Sequence, residues 1–378
     1  MPPKLEKLIK KKKIVTHSEL QTFKSCPQKH AYAYEIGWKS RTVGVATLEG
    51  LAGHRALEEH YLGHGQEKAE AAIKGVFHSY LERNPFLKPE QTEKVVEAET
   101  RSIAVFRHYL RYYYRNNDFT PRHDFVSNSP MVEREFLIPI YTPSGRRSSL
   151  FMLAGKRDLI IKHKGKNWIV DHKFYAGISG TEGDRLSMDQ QMRTYAYATQ
   201  VYDGIPIAGA CYNIIKRKAP RQPKINKNGT VSKAACDTTK QIFLQALHNQ
   251  NQTTEGYEDI LDRLENNLFF ARYFHEYAED EQDYKAVQME LYQTTLLLHQ
   301  CTFRYRNDAA CDHWGGCKFR PLCMGLPGDE LFDLKNTKHS ELDFDNLHLP
   351  RGKGYTVRQE DLPAESLTVE GMLDAVNA

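Results

Sequence analysis

Asp158, Asp171 and Lys173 are the residues of this chain whose types and spacing could do chemistry together. The apolar run Leu159, Ile160, Ile161 is followed by a polar stretch, His163 to Lys166, and then by Trp168, Ile169 and Val170. That succession predicts a β-hairpin. Side chains alternate along a strand, so Asp171 and Lys173 point to one side while Val170, His172 and Phe174 point to the other. A turn centred on Lys164 and Gly165 sets 162 opposite 167, 160 opposite 169 and 158 opposite 171. Asp158 and Asp171 then become cross-strand neighbours, roughly 5 Å apart at Cβ. Two anions so placed repel unless something positive lies between them. Hard carboxylate oxygens suit Mg2+ or Mn2+, and such an ion activates water and clamps a phosphate oxygen. Lys173 would position that water or neutralise charge developing on the phosphate. The plainer alternative is a solvent-facing strand with scattered charges.

The elements around the hairpin offer further candidates. Gln191 and Tyr195 are four residues apart in a helical pattern and share one face. An amide and a phenol can both hydrogen-bond a lysine, a carboxylate or a phosphate. The same helix could merely pack Met192, Tyr195, Ala196 and Thr199 on the sheet. His54 starts a helical run in which Leu57, Tyr61 and Leu62 give an apolar stripe, and a histidine there is more often buried than a ligand. Glu133 and Glu135 share a face of a third strand within Met131–Tyr141, either approaching the acids or lying at an edge.

Seven cysteines stand at 26, 211, 236, 301, 311, 317 and 323. The last three are interleaved with Gly315, Gly316 and Pro321, a turn-rich backbone able to wrap an ion. The first residues show no apolar segment of a secretory signal, so an intracellular, cytoplasmic and nucleoid-associated protein is expected. Metal binding then explains these cysteines better than disulfides. Cys211 lies in an apolar strand and reads as a small buried hydrophobe.

In order along the chain come SELQTFKSCPQKHAYAY, GHRALEEHY, GKRDLII, IVDHKF, QQMRTYAYA and CDHWGGCKFRPLC. This series resembles the RecB/AddB-like, iron–sulfur-containing exonuclease branch of the PD-(D/E)XK nuclease superfamily, from about Ser18 to Cys323. The resemblance implies an α/β (α+β) fold: a central mixed β-sheet of the restriction-endonuclease-like core, flanked by helices, with a helical insert and an iron–sulfur-stapled helical region. It implies that Asp158 and Asp171 bind Mg2+ or Mn2+ with His54, that Lys173 is catalytic, and that Gln191 and Tyr195 assist. It also implies a 4Fe-4S cluster on Cys26, Cys311, Cys317 and Cys323. The gap between Cys311 and Cys317 holds five residues where many members have two, which leaves Cys301 as a substitute ligand and Zn2+ as the competing ion.

The chain has 378 residues, 40% of them hydrophobic, which supports a proper core. No apolar run is long enough to span a membrane. The formal charge is only +4, but the basic residues are uneven: Lys10 to Lys13 are consecutive, and residues 216–233 hold seven Lys or Arg and no acid. Next to a phosphodiesterase site that loop would contact phosphates. The expected organisation is a basic tail over 1–17, a nuclease domain over 18–329 and a polar tail over 330–378. Within the domain a helical insert covers about 66–125, helices fill 238–299, and the cysteine region covers about 301–323. Arginines and four tyrosines mix at residues 107–115, as where bases stack, although core packing explains them equally.

The function expected from this reading is a metal-dependent DNA nuclease, an exonuclease acting on single strands or free ends in recombination, repair or replication, with protein partners there. The alternatives are a non-catalytic or a zinc-stabilised nucleic-acid-binding protein on the same fold.

Overall fold

The computed structural model describes residues 13–114, 119–125, 127–278, 281–312, 316–326, 331–339 and 342. Its centre is a seven-stranded mixed sheet with helices on both faces, the layering that buries a sheet on both sides. The long strand β3 (Arg147–His163) organises it, with β1 (Lys13–Thr16) and β2 (Val132–Tyr141) before it and β4 (Lys166–Tyr175) after it. Then come β5 (Gly209–Lys216) and β6 (Phe270–Glu276). The order is β1–β3–β4–β5–β6, with β2 and the short strand Thr120–Pro121 also paired to β3. β1 runs parallel to β3, β5 runs parallel to β4, and the other pairs are antiparallel.

The register of β3 explains where the sheet opens. β2 accompanies it from Arg147 to Leu159 along one edge. On the other edge β1 pairs with Phe151 to Ala154, and β4 pairs with Leu159 to His163. Gly155 to Asp158 therefore lie in the fork between β1 and β4. Backbone groups left unpaired in such a fork need other partners, and the His172 amide finds one in the Asp158 carboxylate at 2.9 Å. Lys164 and Gly165 both have positive φ, as the tight hairpin turn requires.

Helices α1 (His17–Ser25), α5 (Gln190–Asp203) and α8 (Glu281–Gln300) cover one face. There Leu20, Phe23, Met192 and Ala196 pack on Ile160, Ile169 and Ile214. Helices α2 (Val45–Tyr61), α3 (Gln66–Arg83) and α4 (Pro89–Tyr113) cover the other, where Leu57, Phe77 and Tyr109 meet Val170, Cys211 and Phe270. The central strands β4 and β5 thus send alternate residues to two cores. Cys211 is one of the buried apolar residues, as its sequence context implied. Helices α6 (Lys240–Asn249) and α7 (Glu258–Glu265) form a small separate cluster around Phe243 and Leu261.

The structure redraws three of the expected boundaries. Lys13–Thr16 is a strand of the sheet, with Ile14 and Val15 buried, so this end of the basic tail is core; the preceding lysines lie outside the described residues. Helices do not fill 238–299, because Phe270, Arg272 and Phe274 alternate along β6. Part of the 330–378 tail is built in: Phe332–Leu334 pairs with Trp38–Ser40, and Phe332 is buried against Phe319. Lys338 and His339 reach the buried Glu19 at 2.7 and 3.2 Å. Leu342 packs on Ile14, and the rest of that tail lies outside the described residues.

Candidate active site

Asp158 and Asp171 come together as the hairpin requires. The pairing Leu159 with Val170 and Ile160 with Ile169 leaves 158 and 171 as the next opposed positions. Both point to the α5 side, since Ile160 and Ile169 pack in that core while Leu159 and Val170 pack in the other. Lys173 lies beside them with its Nζ 2.7 Å from Asp171 Oδ2.

His54 arrives from α2, on the opposite layer. Its helix must approach β4 closely, because a Cβ on Gly53 would lie 2.1 Å from the Phe174 ring. Any larger residue there would push the Phe174 ring aside. His54 Nδ1 then stands 3.3 Å from Asp158 Oδ2, reaching it through the fork. A third acid joins from β2: donor atoms of His54, Glu133 and Asp158 all lie within 4.8 Å of one another. Glu133 has φ +49°, a left-handed conformation that a non-glycine residue rarely adopts in a strand. That strain coincides with the site and re-aims the side chain.

The charges divide unequally over these groups. Burial alone would raise the Asp158 carboxyl, but His54 and the His172 amide outweigh it and hold it well below its ordinary value. Burial also raises Asp171, and despite Lys173 the neighbouring Asp158 helps push it up to about 6. Burial opposes the His54 imidazolium, yet Asp158 raises it to about 9. Lys173 is held charged above its ordinary value because Asp171 overrides its burial. Glu133 is raised, first by burial and then by Asp158, with Lys156 countering. Crowded acids with opposed shifts are the signature of a site adapted to a cation or to proton transfer.

On the α5 side Tyr195 is buried, and its phenol is raised by burial although the Gln191 bond opposes this. Gln191 and Tyr195 therefore pair with each other beside the acids, on the shared face their spacing predicts. Asp189 caps α5 by accepting from the Gln191 amide at 2.7 Å, and it also accepts from the Tyr212 hydroxyl. A hydroxyl partner and a cap on one carboxylate fix where the helix begins. His17 faces Tyr195, ring centroids 6.5 Å apart. Burial lowers its pKa to about 4.

On the α2 side lies a polar row that the sequence reading missed. His172, Asn213 and Arg272 are register partners across β4, β5 and β6. The Asn213 amide nitrogen is 2.9 Å from His172 Nδ1 and 3.0 Å from the Tyr109 hydroxyl. Tyr109 bonds Tyr61 at 2.6 Å, and Tyr61 stacks on His172. This row holds the His172 peptide, whose N–H donates to Asp158.

The basic loop is less free than its composition suggests. Lys216 and Lys218 both pair with Asp237, while Arg217 shares buried Glu49 with Arg101.

The model of the PD-(D/E)XK nuclease superfamily matches residues 14–324, most of the chain. The chain belongs to that superfamily. PD-(D/E)XK members are generally phosphodiesterases acting on nucleic acids, and their nucleases use Mg2+ or Mn2+. No curated protein matches the chain. A solved structure described as "Crystal structure of SSO0001" is similar at 13% identity and a TM-score of 0.31, over 85% of this chain and 95% of that one. Among the described residues no helix of this PD-(D/E)XK protein is long and apolar enough to cross a membrane.

Proposed function

We propose that this protein is a metal-dependent DNA nuclease that acts as an exonuclease on single-stranded ends in recombination, repair or replication. The observation that carries the proposal is the convergence of His54, Glu133 and Asp158 within 4.8 Å, beside the Asp171–Lys173 pair. One imidazole nitrogen and several carboxylate oxygens suit Mg2+ or Mn2+. His54, Glu133, Asp158 and Asp171 would hold the ion, which supplies Lewis-acid activation of water and of the scissile phosphate. Lys173 holds its proton and offers positive charge where the phosphate becomes more anionic. Gln191 and Tyr195 orient the Asp171–Lys173 pair from α5. The hydrogen-bonded row behind His172 keeps Asp158 aimed into the fork.

We further propose that Cys26, Cys311, Cys317 and Cys323 hold a 4Fe-4S cluster. Their segments dock together: the Gln28 amide donates to the Tyr305 carbonyl at 3.0 Å, and Asn307 donates to the Ser25 carbonyl at 2.8 Å. Burial raises the Cys323 thiol, which also feels Cys317 and Cys26. Cys317 packs beside Phe319, whereas Cys301 packs on the main core. Thiolate donors fit such a cluster.

End-labelled single-stranded DNA should be degraded stepwise in Mg2+ or Mn2+, with no cleavage in EDTA. Full activity in EDTA would end the metal-dependent reading, and internal cuts in a circular strand would replace exonuclease with endonuclease. Iron and visible absorbance in protein purified without oxygen, both lost in Cys26→Ser, test the cluster; zinc with no colour would reassign the ion.

A further inference from the structure

A cavity of about 570 Å3 opens where the C-terminal ends of α2 and α4 meet β6. Tyr61, Tyr109, Tyr113 and Tyr114 line it together with His60, and Arg111 and Arg272 supply charge. No carboxylate lines it among the described residues. Arg107 also lies there, but Glu70 takes it at 2.8 and 2.6 Å.

Arg272 is a built feature of this cavity. Its guanidinium sits between the rings of Tyr113 and Phe119, at 3.6 and 3.5 Å from their centroids, and one nitrogen donates to the Tyr109 hydroxyl at 3.2 Å. The clamped guanidinium holds Tyr113 in place at the cavity wall. Tyr114 is 84% exposed. Arg111 makes no ion pair among the described residues and offsets the partial negative charge at the end of α4. A second cavity, of about 1010 Å3, shares Arg111, Tyr113, Tyr114 and Arg272 with the first and continues towards Lys240, where Glu265 also lines it and pairs with that lysine. The two form one trough. His60 and Tyr61 follow His54 by six and seven residues on α2, so the trough begins about 9–10 Å along the helix from His54.

We infer that this trough binds nucleotide units of a nucleic-acid strand, with bases against Tyr113 and Tyr114 and a phosphate at Arg111. Tyrosine faces accept any base, and arginines pair with the backbone, so binding is tolerant of sequence. The use made of the strand rests on the nuclease reading, but the binding does not. A free nucleotide carries the same chemistry, and the length of the trough favours a strand over it.

The test is binding in EDTA, where no cleavage intervenes, of fluorescein-labelled oligothymidylate and, separately, of thymidine monophosphate. Tyr114→Ala and Arg111→Ala lie at exposed positions, and unchanged circular dichroism and melting would show that they fold. Each should weaken oligothymidylate binding roughly 5- to 100-fold, the range of one lost stacking or phosphate contact. Weakened oligonucleotide binding, with the monophosphate bound poorly by every form, supports a strand site. Tight monophosphate binding lost in both variants makes it a mononucleotide site and overturns the strand assignment. Wild-type affinity for both probes in both variants overturns the inference altogether. A binding defect in a protein that cuts nothing would leave the trough standing and sink only the nuclease reading.

Discussion

Asp171 and Glu19 are both buried carboxylates with a lysine partner, yet their surroundings drive them in opposite directions. Burial works against the Glu19 anion, but His30 at 2.9 Å, His339 and Lys338 hold it down at about 2. Burial raises Asp171, which pairs with Lys173 but shares its space with Asp158, and it rises to about 6. Surplus donors around one acid build a clasp, whereas crowded acids build a site that wants a cation. Burial alone would not have told the two apart.

The largest effect should come from removing the lysine paired with Asp171. Lys173→Ala should lower the cleavage rate about 10²- to 10³-fold, as loss of one charge-stabilising group does, with melting close to wild type. A variant that still cuts DNA at the wild-type rate would reduce the pair to an ordinary ion pair.

The clasp should show the reverse: stability lost and cleavage kept. Because the folded pKa of Glu19 lies below its unfolded value near 4.5, its contribution is complete above that pH and disappears as pH falls towards 2. The amount at stake is on the order of 3 kcal/mol. Glu19→Gln should lower the melting temperature at neutral pH and flatten the acid limb of the stability curve. An acid limb identical to wild type would show that the clasp carries no linkage.

The smallest effect belongs to the neutral row behind β4. Asn213→Leu leaves the Tyr109 hydroxyl and His172 Nδ1 without their shared partner and should cost about 1–2 kcal/mol, with a loss of cleavage under tenfold. A loss as large as that of Lys173→Ala would place this row in the chemistry itself.

How legible each part was follows from the distance over which its cause acts. The hairpin register is local: Lys164 and Gly165 set the turn, and alternation does the rest. The Gln191–Tyr195 pairing needs only one helical turn. Glu133 was visible as a neighbour on a third strand, but its left-handed φ is imposed by the sheet and leaves no mark in composition. The partners Asn213 and Tyr109 are 104 residues apart, so nothing short-range couples them. β1 was hidden because the lysine run before Ile14 outweighed its few apolar residues. β6 was hidden because an alternating strand stood between two helical patterns. The charge of the basic loop was overstated because Asp237 and Glu49 lie outside it in sequence.

The clasp also has a consequence for how the protein is made. Glu19 enters a growing chain early, but Lys338 and His339 are added more than three hundred residues later. β1 likewise waits for Phe151 to Ala154 before it has a ladder to join. A chain emerges from the ribosome with its N-terminal segments first, so α1 must hold an acid that lacks two of its three partners until residue 339 has been added. A truncated product would carry the acids of the hairpin on a domain whose first helix cannot close. In a nuclease, that makes synthesis through residue 339 a condition for a well-ordered cutting site.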